Sequence, residues 1–245
     1  MRHDLLKTLE NLYKRQLYGA RRMAARWRIP YRPGGRDWSI GLPLAAVQSI
    51  QAGALSYSYR GVPMLKNPFE LALYQLLFWQ LKPRTVIEIG SYLGASAMWC
   101  ADMMRNAGVE GKVISIDIDP PKPPEPRANV VFLKGDAHAL GAVLTPDLLA
   151  ALQRPLLVIE DSTHLARTSL AVLDFFAGVL RPGEYIVIED GAVTDLGRAH
   201  HYGGGPGRAI SLFLRDHPDF EIDTQFCDRY GHNFTGNPNG YLRRR

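Results

Sequence analysis

The stretch VIEIGSYLGAS, residues 86–96, is an apolar run that ends in a glycine-rich turn. The run predicts a buried strand, and the segment from residue 95, ASAMWCADMMRNAG, predicts a helix. Gly90 and Gly94 would let the backbone of this turn approach a ligand closely, because glycine has no Cβ. The spacing is neither the dinucleotide motif GxGxxG nor a Walker loop. The stretch therefore predicts a strand–turn–helix unit of an α/β protein.

Strand and helix patterns alternate on both sides of this unit. PFELALYQLLFWQL, which begins with proline, has the amphipathic spacing of a helix. The later segments predict the strands KVISIDID, NVVFLKGD, PLLVIED and YIVIEDG and the helices DLLAALQ, TSLAVLDFFAGVL and GRAISLFLRDH. FEIDTQFCD and GYLRRR are interpreted as a closing pair of strands. Continuous apolar strands between helices indicate an α/β fold, a parallel sheet with helices on both faces.

Acidic residues gather at the carboxyl ends of the predicted strands, where open parallel sheets bind ligands. Val-Ile-Glu-Asp occurs twice, at 158–161 and 187–190. No longer period recurs along the chain, so we interpret the two copies as neighbouring strands that end at one site. Strand alternation points Glu160 away from Asp161. We therefore expect Glu160 to have a structural role, such as pairing with an arginine.

Two further strand ends suggest contacts with a nucleoside. Asp117 is placed to accept hydrogen bonds from both hydroxyls of a ribose. The segment Gly135-Asp136-Ala137-His138 follows the next strand, where an adenine edge would lie. Asp136 would equally serve as a helix N-cap, so both interpretations stay open.

The composition and the charge of the chain exclude several classes of protein. Apolar residues make up 46% and charged residues 22% of the 245 residues, and no run of eighteen apolar residues predicts a membrane span. The N-terminus is interrupted by charges and does not resemble a signal peptide. Cys100 and Cys227 form no metal-binding spacing, so we expect a reduced, cytoplasmic protein.

The net charge of +5 is concentrated near the N-terminus. Residues 1–36 contain ten Lys and Arg against Asp4 and Glu10. An apolar stripe at helical spacing predicts a helix that docks on its own domain or on a second subunit, so a homo-oligomer is expected. Weak contact with an anionic membrane surface is the alternative.

VIEIGSYLGASAMW and VISIDIDPP resemble motifs I and II of the class I S-adenosylmethionine-dependent methyltransferases, and within these the catechol O-methyltransferase type. The resemblance implies a Rossmann-like methyltransferase sheet, mostly parallel, with an antiparallel closing strand. It implies that Ser96 and the glycine-rich loop hold the methionine part of S-adenosylmethionine and that Asp117 holds its ribose. The complete set of expected cofactor-binding residues is Glu88, Gly90, Ser91, Tyr92, Gly94, Ser96, Asp117, Asp136 and His138.

A closer resemblance covers residues 66–245. KNPFELALYQLLFWQLKP, EDSTH, YIVIEDG, GGGPGRAI and YGHNFTGNPNGYLRR are similar to the cephalosporin hydroxylase/rhamnosyl O-methyltransferase family. The resemblance implies methyl transfer to a hydroxyl of a small natural product or sugar, with a sugar, macrolide or phenol as acceptor. Residues 1–66 would form a basic N-terminal helix and an irregular cap, and residues 67–245 the methyltransferase domain.

The same family uses an acid after its fourth strand and a Glu-Asp pair after its fifth. Asp161, Glu189 and Asp190 match these positions and offer the hard oxygen ligands that Mg²⁺ prefers. His164 lies at the offset of the catechol enzymes' proposed lysine base, so it is either the catalytic base, with Asp161 beside it, or a polar loop histidine. Thr163 stands where the family often has a second Asp, which puts a fourth acidic ligand in doubt.

Other functions fit the residues less well. The loop TDLGRAHHYGGGPGR, with Asp195, His200 and His201, would be a substrate lid or a crossover loop without a chemical role. A nucleotide-dependent oxidoreductase lacks its GxGxxG motif, and no Asp/Asn-Pro-Pro-aromatic turn supports methylation of nucleic acid, so no nucleic-acid partner is expected. The remaining alternative is a non-catalytic, S-adenosylmethionine-binding partner of a hydroxylase.

Overall fold

A computed structural model describes residues 35–122 and 126–245. The strands are β1 (Ser58–Tyr59), β2 (Val62–Pro63), β3 (Thr85–Ile89), β4 (Lys112–Asp117), β5 (Val130–Lys134), β6 (Leu156–Glu160), β7 (Tyr185–Ile188), β8 (Phe220–Ile222) and β9 (Tyr241–Arg244). β1 and β2 form a hairpin, and the other seven strands form one sheet in the order β5-β4-β3-β6-β7-β9-β8. β9 runs antiparallel to both of its neighbours, β7 and β8, and the other neighbouring strands of this sheet are parallel. The predicted mostly parallel sheet with an antiparallel closing strand is confirmed.

Helices cover both faces of this sheet. They are α1 (Leu44–Ala54), α2 (Pro68–Leu81), α3 (Ala95–Asn106), α4 (Pro146–Ala151), α5 (Ala166–Ala177), α6 (Gly205–Asp216) and α7 (Thr224–Cys227). Val86 of β3 packs in the apolar core with α2 and α3, whereas its neighbour Ile87 packs in the core with α5 and α6. This alternation explains why the strands are apolar throughout, since each face has its own core.

The start of α2 illustrates how sequence sets these elements. Asn67 accepts a hydrogen bond from the backbone N–H of Glu70, and the Glu70 side chain accepts one from the backbone N–H of Asn67. This capping box satisfies two N–H groups that the helix leaves unpaired. Pro68 follows at the first helical position, where its missing N–H costs nothing. The residue before the cap, Lys66, is thereby held at a defined place.

Two predictions of local structure are wrong in part. The segment FEIDTQFCD is extended only over Phe220–Ile222, because the Asp223 side chain accepts the backbone N–H of Gln225 and begins α7. The cap predicted within residues 1–66 is not irregular in its described part, since that part contains α1 and the β1–β2 hairpin. The predicted N-terminal helix lies outside the described residues, and the division at residue 66 stays a prediction.

None of the helices in the described ranges has the length and apolar character that crossing a bilayer requires.

Candidate functional site

The glycine-rich turn between β3 and α3 lies against the end of β6. Gly90 has a φ of +99°, and a Cβ at this position would lie 2.2 Å from the backbone oxygen of Asp161. Gly94 has a φ of +82° and begins α3, and Tyr92 between them has a φ of +46°. Glycine is therefore required at residue 90 both for its conformation and for space. This contact places the predicted cofactor turn and the predicted metal strand end side by side.

Glu88 lies under this turn in a chain of hydroxyl groups. Ser115 donates to the Glu88 carboxyl, and the Ser91 and Ser115 hydroxyls lie 2.6 Å apart. Burial raises the pKa of Glu88 to about 7, whereas hydrogen bonds from Ser115 and Ser96 lower it. The structure thus brings three of the predicted residues, Glu88, Ser91 and Ser96, into one polar network beneath the cofactor turn, together with Ser115, which was not predicted.

Asp117 is oriented by two backbone groups. Its Oδ2 accepts the N–H of Ser91 at 2.8 Å, and its Oδ1 accepts the N–H of Asp119 at 2.9 Å. Both contacts fix the carboxylate at the carboxyl end of β4, beside the glycine-rich turn. This is the position that the ribose interpretation requires, and the ribose contact itself stays a prediction.

Asp136 and His138 lie beyond the end of β5, one strand further along the sheet. Asp136 Oδ1 accepts the backbone N–H of His138 at 2.8 Å and so closes a turn. The following 3-10 helix begins at Leu140 after Ala139, so Asp136 is not its N-cap. His138 Nε2 lies 3.1 Å from the Thr168 hydroxyl of α5. The adenine contact of this segment stays a prediction.

Strand alternation separates the four acids of the duplicated Val-Ile-Glu-Asp. Asp161 and Glu189 point to the face that carries α2, where both meet the ammonium group of Lys66. Glu160 points to the other face, where Ser162 and Ser169 donate to it. The structural role predicted for Glu160 agrees with these contacts, but its partners are serines and not an arginine. The reason is that α5 presents Ser169 at this point of the sheet.

The side chain of Asp190 does not follow the alternation of the strand, because the φ of this residue is +58°. Its backbone N–H donates to Asn237 Oδ1 of the C-terminal loop at 3.0 Å. Its side chain turns toward His164, whose φ is also positive, at +55°. Backbone strain at two neighbouring non-glycine residues is typical of functional sites. The strain brings Asp190 back to the same side as Asp161.

Asp161, His164 and Asp190 form the cluster most suited to a metal ion among the described residues. One possible ligand atom from each lies within 4.8 Å of the others. His164 Nδ1 lies 3.2 Å from Asp190 Oδ2, but this contact lacks hydrogen-bond geometry, and the buried Nδ1 has no hydrogen-bond partner in the described ranges. Because this nitrogen is buried beside two carboxylates and has no partner there, it could bind a proton or a metal ion.

Glu189 lies deeper than this cluster. Tyr74 of α2 donates to its Oε1 at 2.6 Å, and Lys66 donates to its Oε2. Burial raises the pKa of Glu189 well above its ordinary value, and the charge of Asp161 adds to this while Lys66 opposes it. Burial alone would lower the pKa of Lys66, but the charges of Asp161 and Glu189 raise it well above its ordinary value. Lys66 is therefore a charged ammonium held by carboxylates.

Lys66 and Tyr74 are site residues that the sequence did not reveal. Lys66 is separated from Asp161 by 95 residues and from Glu189 by 123 residues. Its signal in the sequence is slight, since it is a lysine directly before a capping box. Only the packing of α2 on the sheet brings it to the strand ends.

The long loop after β7 borders the same site. Tyr202 packs its ring edge against His164 with centroids 5.7 Å apart. Asp195 accepts the backbone N–H of Ile40 at 3.0 Å and ties the loop to the segment before α1. His200 and His201 are exposed, with ring centroids 3.9 Å apart. Tyr202 rather than either histidine is thus the residue of this loop that reaches the cluster, and the lid role stays a prediction.

Known proteins are similar to this chain in sequence and in fold. The family model described as Rhamnosyl O-methyltransferase/CmcI matches residues 51–245. The rhamnosyl O-methyltransferase of Mycobacterium leprae (strain TN) is 30% identical over 199 residues, which cover 77% of this chain and 83% of that protein. The protein of the same name from Mycobacterium bovis (strain BCG / Pasteur 1173P2) is 28% identical over 200 residues, with coverage of 76% and 78%.

Two solved CmcI structures are similar to this chain along most of their length. One, described with Mg and SAM, has a TM-score of 0.59 and 25% identity and covers 78% of this chain and 77% of its own. The other, an apo structure, has a TM-score of 0.62 and 27% identity, with coverage of 78% and 76%. The chain therefore belongs to the Rhamnosyl O-methyltransferase/CmcI family of S-adenosylmethionine-dependent O-methyltransferases.

Proposed function

We propose that this protein is a Mg²⁺-dependent enzyme that methylates a hydroxyl group of a small natural product or sugar. The observation that carries the proposal is the contact of Gly90 with Asp161, which joins the cofactor turn to the acidic cluster. A methyl donor on the turn and a hydroxyl acceptor at the acids would then be neighbours. The names of the relatives, which refer to rhamnosyl groups, support a sugar hydroxyl as acceptor.

The acidic cluster suits a divalent cation. Among the described residues, the ammonium of Lys66 is the one that neighbours Asp161, Glu189 and Asp190, so the site has an excess of two negative charges when all three acids are ionised. Burial raises the pKa of Asp190, and the charge of Asp161 adds to this. A bound cation would relieve this repulsion, and carboxylate oxygens are the donors that Mg²⁺ prefers. Asp161, Glu189 and Asp190 stay the proposed metal residues.

The residues around the cluster have separable tasks. Asp161, Glu189 and Asp190 would hold the cation that orients the acceptor, and His164 would accept the proton of the acceptor hydroxyl. Tyr202 packs on His164 and would restrict the access of water to it. When bound, S-adenosylmethionine supplies an electrophilic methyl group, and Mg²⁺ lowers the pKa of the acceptor hydroxyl.

The cofactor side of the site depends on backbone and acid contacts. Gly90 and Gly94 keep the turn close to the sheet, and Asp117, fixed by two N–H groups, would accept the ribose hydroxyls. Ser96, with its contact to Glu88, would lie beside the methionine part. The turn would thus orient the donor while the acidic cluster orients the acceptor.

Calorimetry with S-adenosylmethionine and MgCl₂ tests the proposal. We expect wild-type protein to bind both, and Asp161→Ala/Glu189→Ala to bind only the cofactor. Asp174→Ala, which removes a half-exposed acid of α5, is the control and should bind both. Metal binding that survives the double change would contradict the proposed metal residues.

Methyl transfer to a panel of sugars, diols and phenols, followed by mass spectrometry, then tests catalysis. We expect methylated product from wild type with MgCl₂ and little product with EDTA. Binding of both ligands without transfer to any acceptor would favour a non-catalytic partner of a hydroxylase. Cytoplasmic location and homo-oligomer formation stay predictions.

A further inference from the structure

The outer face of α2 is largely apolar, although a helix at the surface of a protein usually has a polar outer face. Its inner face is buried in the core and comprises Leu73, Tyr74, Leu77 and Phe78. Its outer face has the i, i+3, i+4 and i+7 spacing of a helix and comprises Ala72, Gln75, Leu76 and Trp79. Trp79 is 61% exposed, although the ammonium of Lys82 lies 5.0 Å from the centroid of its ring. A helix that is apolar on both faces is expected to be covered on both.

A groove of about 470 Å³ runs along this outer face. Its other walls are the end of α3, with Met103 and Ala107, and the loop after α7, with Arg229 and Tyr230. Arg229 is the single charged residue among the described residues that line the groove. Between residues 72 and 79 α2 rises about 10 Å, which is about two turns. The apolar lining along two turns suits the apolar face of another helix, which docks in a groove through residues at i, i+3, i+4 and i+7.

The described part of the chain begins beside this groove. Arg36 donates to the two carboxylate oxygens of Asp228 at 2.8 and 2.5 Å, and to Asn233 Oδ1 at 3.0 Å. Such a bidentate contact fixes the orientation of an arginine as well as its position. Asp228 directly precedes Arg229 and Tyr230 of the groove. The chain before residue 35 therefore joins the domain next to the groove.

Residues 1–34, which lie outside the described part, contain an apolar stripe at helical spacing. The stripe consists of Leu5, Leu9, Leu12, Gln16, Ala20, Met23 and Trp27. Trp27 is its member nearest in sequence to Arg36. At about 3.5 Å per residue, the chain from Trp27 to residue 35 spans up to about 28 Å. This span exceeds the length of the groove along α2, so the stripe can reach every part of the groove.

Attachment to the same chain favours this segment over a second copy of the protein as the occupant. A short flexible connection gives the attached segment a local concentration in the millimolar range, which a second copy in solution would have to match. Charge agrees with an apolar contact. The described residues that line the groove include no acid, so the groove offers no carboxylate to the lysines and arginines of the segment.

We propose that residues 5–27 dock as a helix in the groove of the same chain, with the apolar stripe against Leu76, Trp79 and Tyr230. The lysines and arginines of the segment then face solvent. The docked helix covers the outer face of α2, so that both faces of α2 are buried. This interaction goes beyond the proposed function and does not depend on it, since it requires neither S-adenosylmethionine nor Mg²⁺.

Photo-crosslinking in the full-length chain tests the docking. Gln75→p-benzoylphenylalanine places the crosslinker at an exposed position in the groove. An equal mixture of ¹⁵N-labelled and unlabelled protein lets mass spectrometry separate crosslinks within a chain from crosslinks between chains. We expect crosslinks to residues 5–27 of the same chain. Crosslinks between differently labelled chains would overturn the proposal in favour of a second copy, and the absence of crosslinks to residues 5–27 would also overturn it.

Two further crosslinker positions complete this experiment. Trp79→p-benzoylphenylalanine is the second groove position and replaces the first one if circular dichroism shows that the Gln75 variant does not fold. Ile118→p-benzoylphenylalanine is the control, because Ile118 is 67% exposed and lies beyond the carboxyl end of β4. We expect no crosslinks from residue 118 to residues 5–27. Stronger crosslinking from residue 118 than from the groove would place the segment near the cofactor turn and contradict the proposal.

Substitutions on the two faces of the segment test the stripe itself. Met23→Asp/Trp27→Asp places two carboxylates on the stripe, whereas Tyr18→Asp/Ala25→Asp places two on the opposite face of the same predicted helix. We expect the first pair to lower the yield of crosslinks from residue 75 at least about fivefold, because an unpaired carboxylate resists burial in an apolar groove. The second pair should leave the yield within about twofold of the parent protein, since its carboxylates stay in water. Equal yields from the two pairs would show that the stripe does not occupy the groove.

Discussion

Replacement of Gly90 by alanine should show how closely the cofactor turn and the acidic cluster depend on each other. Its φ of +99° is unfavourable for alanine, and the added Cβ would lie 2.2 Å from Asp161 O and 2.8 Å from Ser162 Cα. These are backbone atoms, so no side-chain rotation relieves the overlap. The left-handed conformation costs about 1–2 kcal/mol. Overpacking adds about 1–3 kcal/mol.

Gly183 provides a matched control for the conformational part. Its φ is +86°, and an added Cβ would meet no atom within 4 Å. It lies in the turn before β7, at the opposite end of the sheet from the acids. Gly183→Ala should therefore lose only about 1–2 kcal/mol, against about 2–5 kcal/mol for Gly90→Ala.

Urea unfolding followed by circular dichroism gives both free energies. For a chain of this size the larger loss corresponds to a fall in Tm of about 5–15 °C. Calorimetry should also show weaker binding of S-adenosylmethionine and of Mg²⁺ by Gly90→Ala, because relief of the overlap must move the turn or Asp161. Equal stabilities of the two alanine variants, with unchanged ligand binding, would show that Gly90 does not couple the cofactor turn to Asp161.

Three further predictions concern single residues of the site. Burial raises the pKa of Glu88 from its ordinary 4.5 to about 7, so its stabilising contribution is present below pH 4.5 and is lost as pH rises through 7. Relative to Glu88→Gln, the unfolding free energy of wild type should fall by on the order of 2 kcal/mol between about pH 5 and 8, and a constant difference would contradict this. Asp117→Ala should weaken binding of S-adenosylmethionine at least about tenfold, as the loss of one or two charged hydrogen bonds implies, whereas an unchanged Kd would remove Asp117 from the cofactor site. His164→Ala should slow methyl transfer roughly 10²–10⁴-fold while Mg²⁺ still binds, and loss of Mg²⁺ binding would instead make His164 a ligand.

The order of strands and helices could be predicted because the residues within each segment indicate its type of secondary structure. A short apolar run such as TVIEI indicates a buried strand, and the longer run PFELALYQLLFWQL, preceded by Asn67 and beginning with proline, indicates a helix. The prediction of an extended segment around Thr224 was wrong, because local apolar patterns do not include the effect of a capping side chain. There a single Asx cap at Asp223 outweighs the strand pattern.

Only the part of the site that lies at the ends of consecutive strands could be predicted from the sequence. Asp161 and Glu189 meet because β6 and β7 are parallel neighbours in register, which chain order alone suggests. The positive φ of Asp190 could not be foreseen, since it depends on the Asn237 contact of a loop far along the chain. Nor could the contact of Ser169 with Glu160, which depends on the packing of α5.

The class of fold, the glycine turn and the acids at the strand ends follow from the sequence alone. These depend on spacing within one element or on the fact that parallel strands share a carboxyl edge. The groups that surround Glu189 are known only from the tertiary structure, because the packing of α2 on the sheet brings Lys66 and Tyr74, more than a hundred residues away in the chain, to this carboxyl group. A buried charge requires a partner, and packing rather than sequence distance decides which group that partner is.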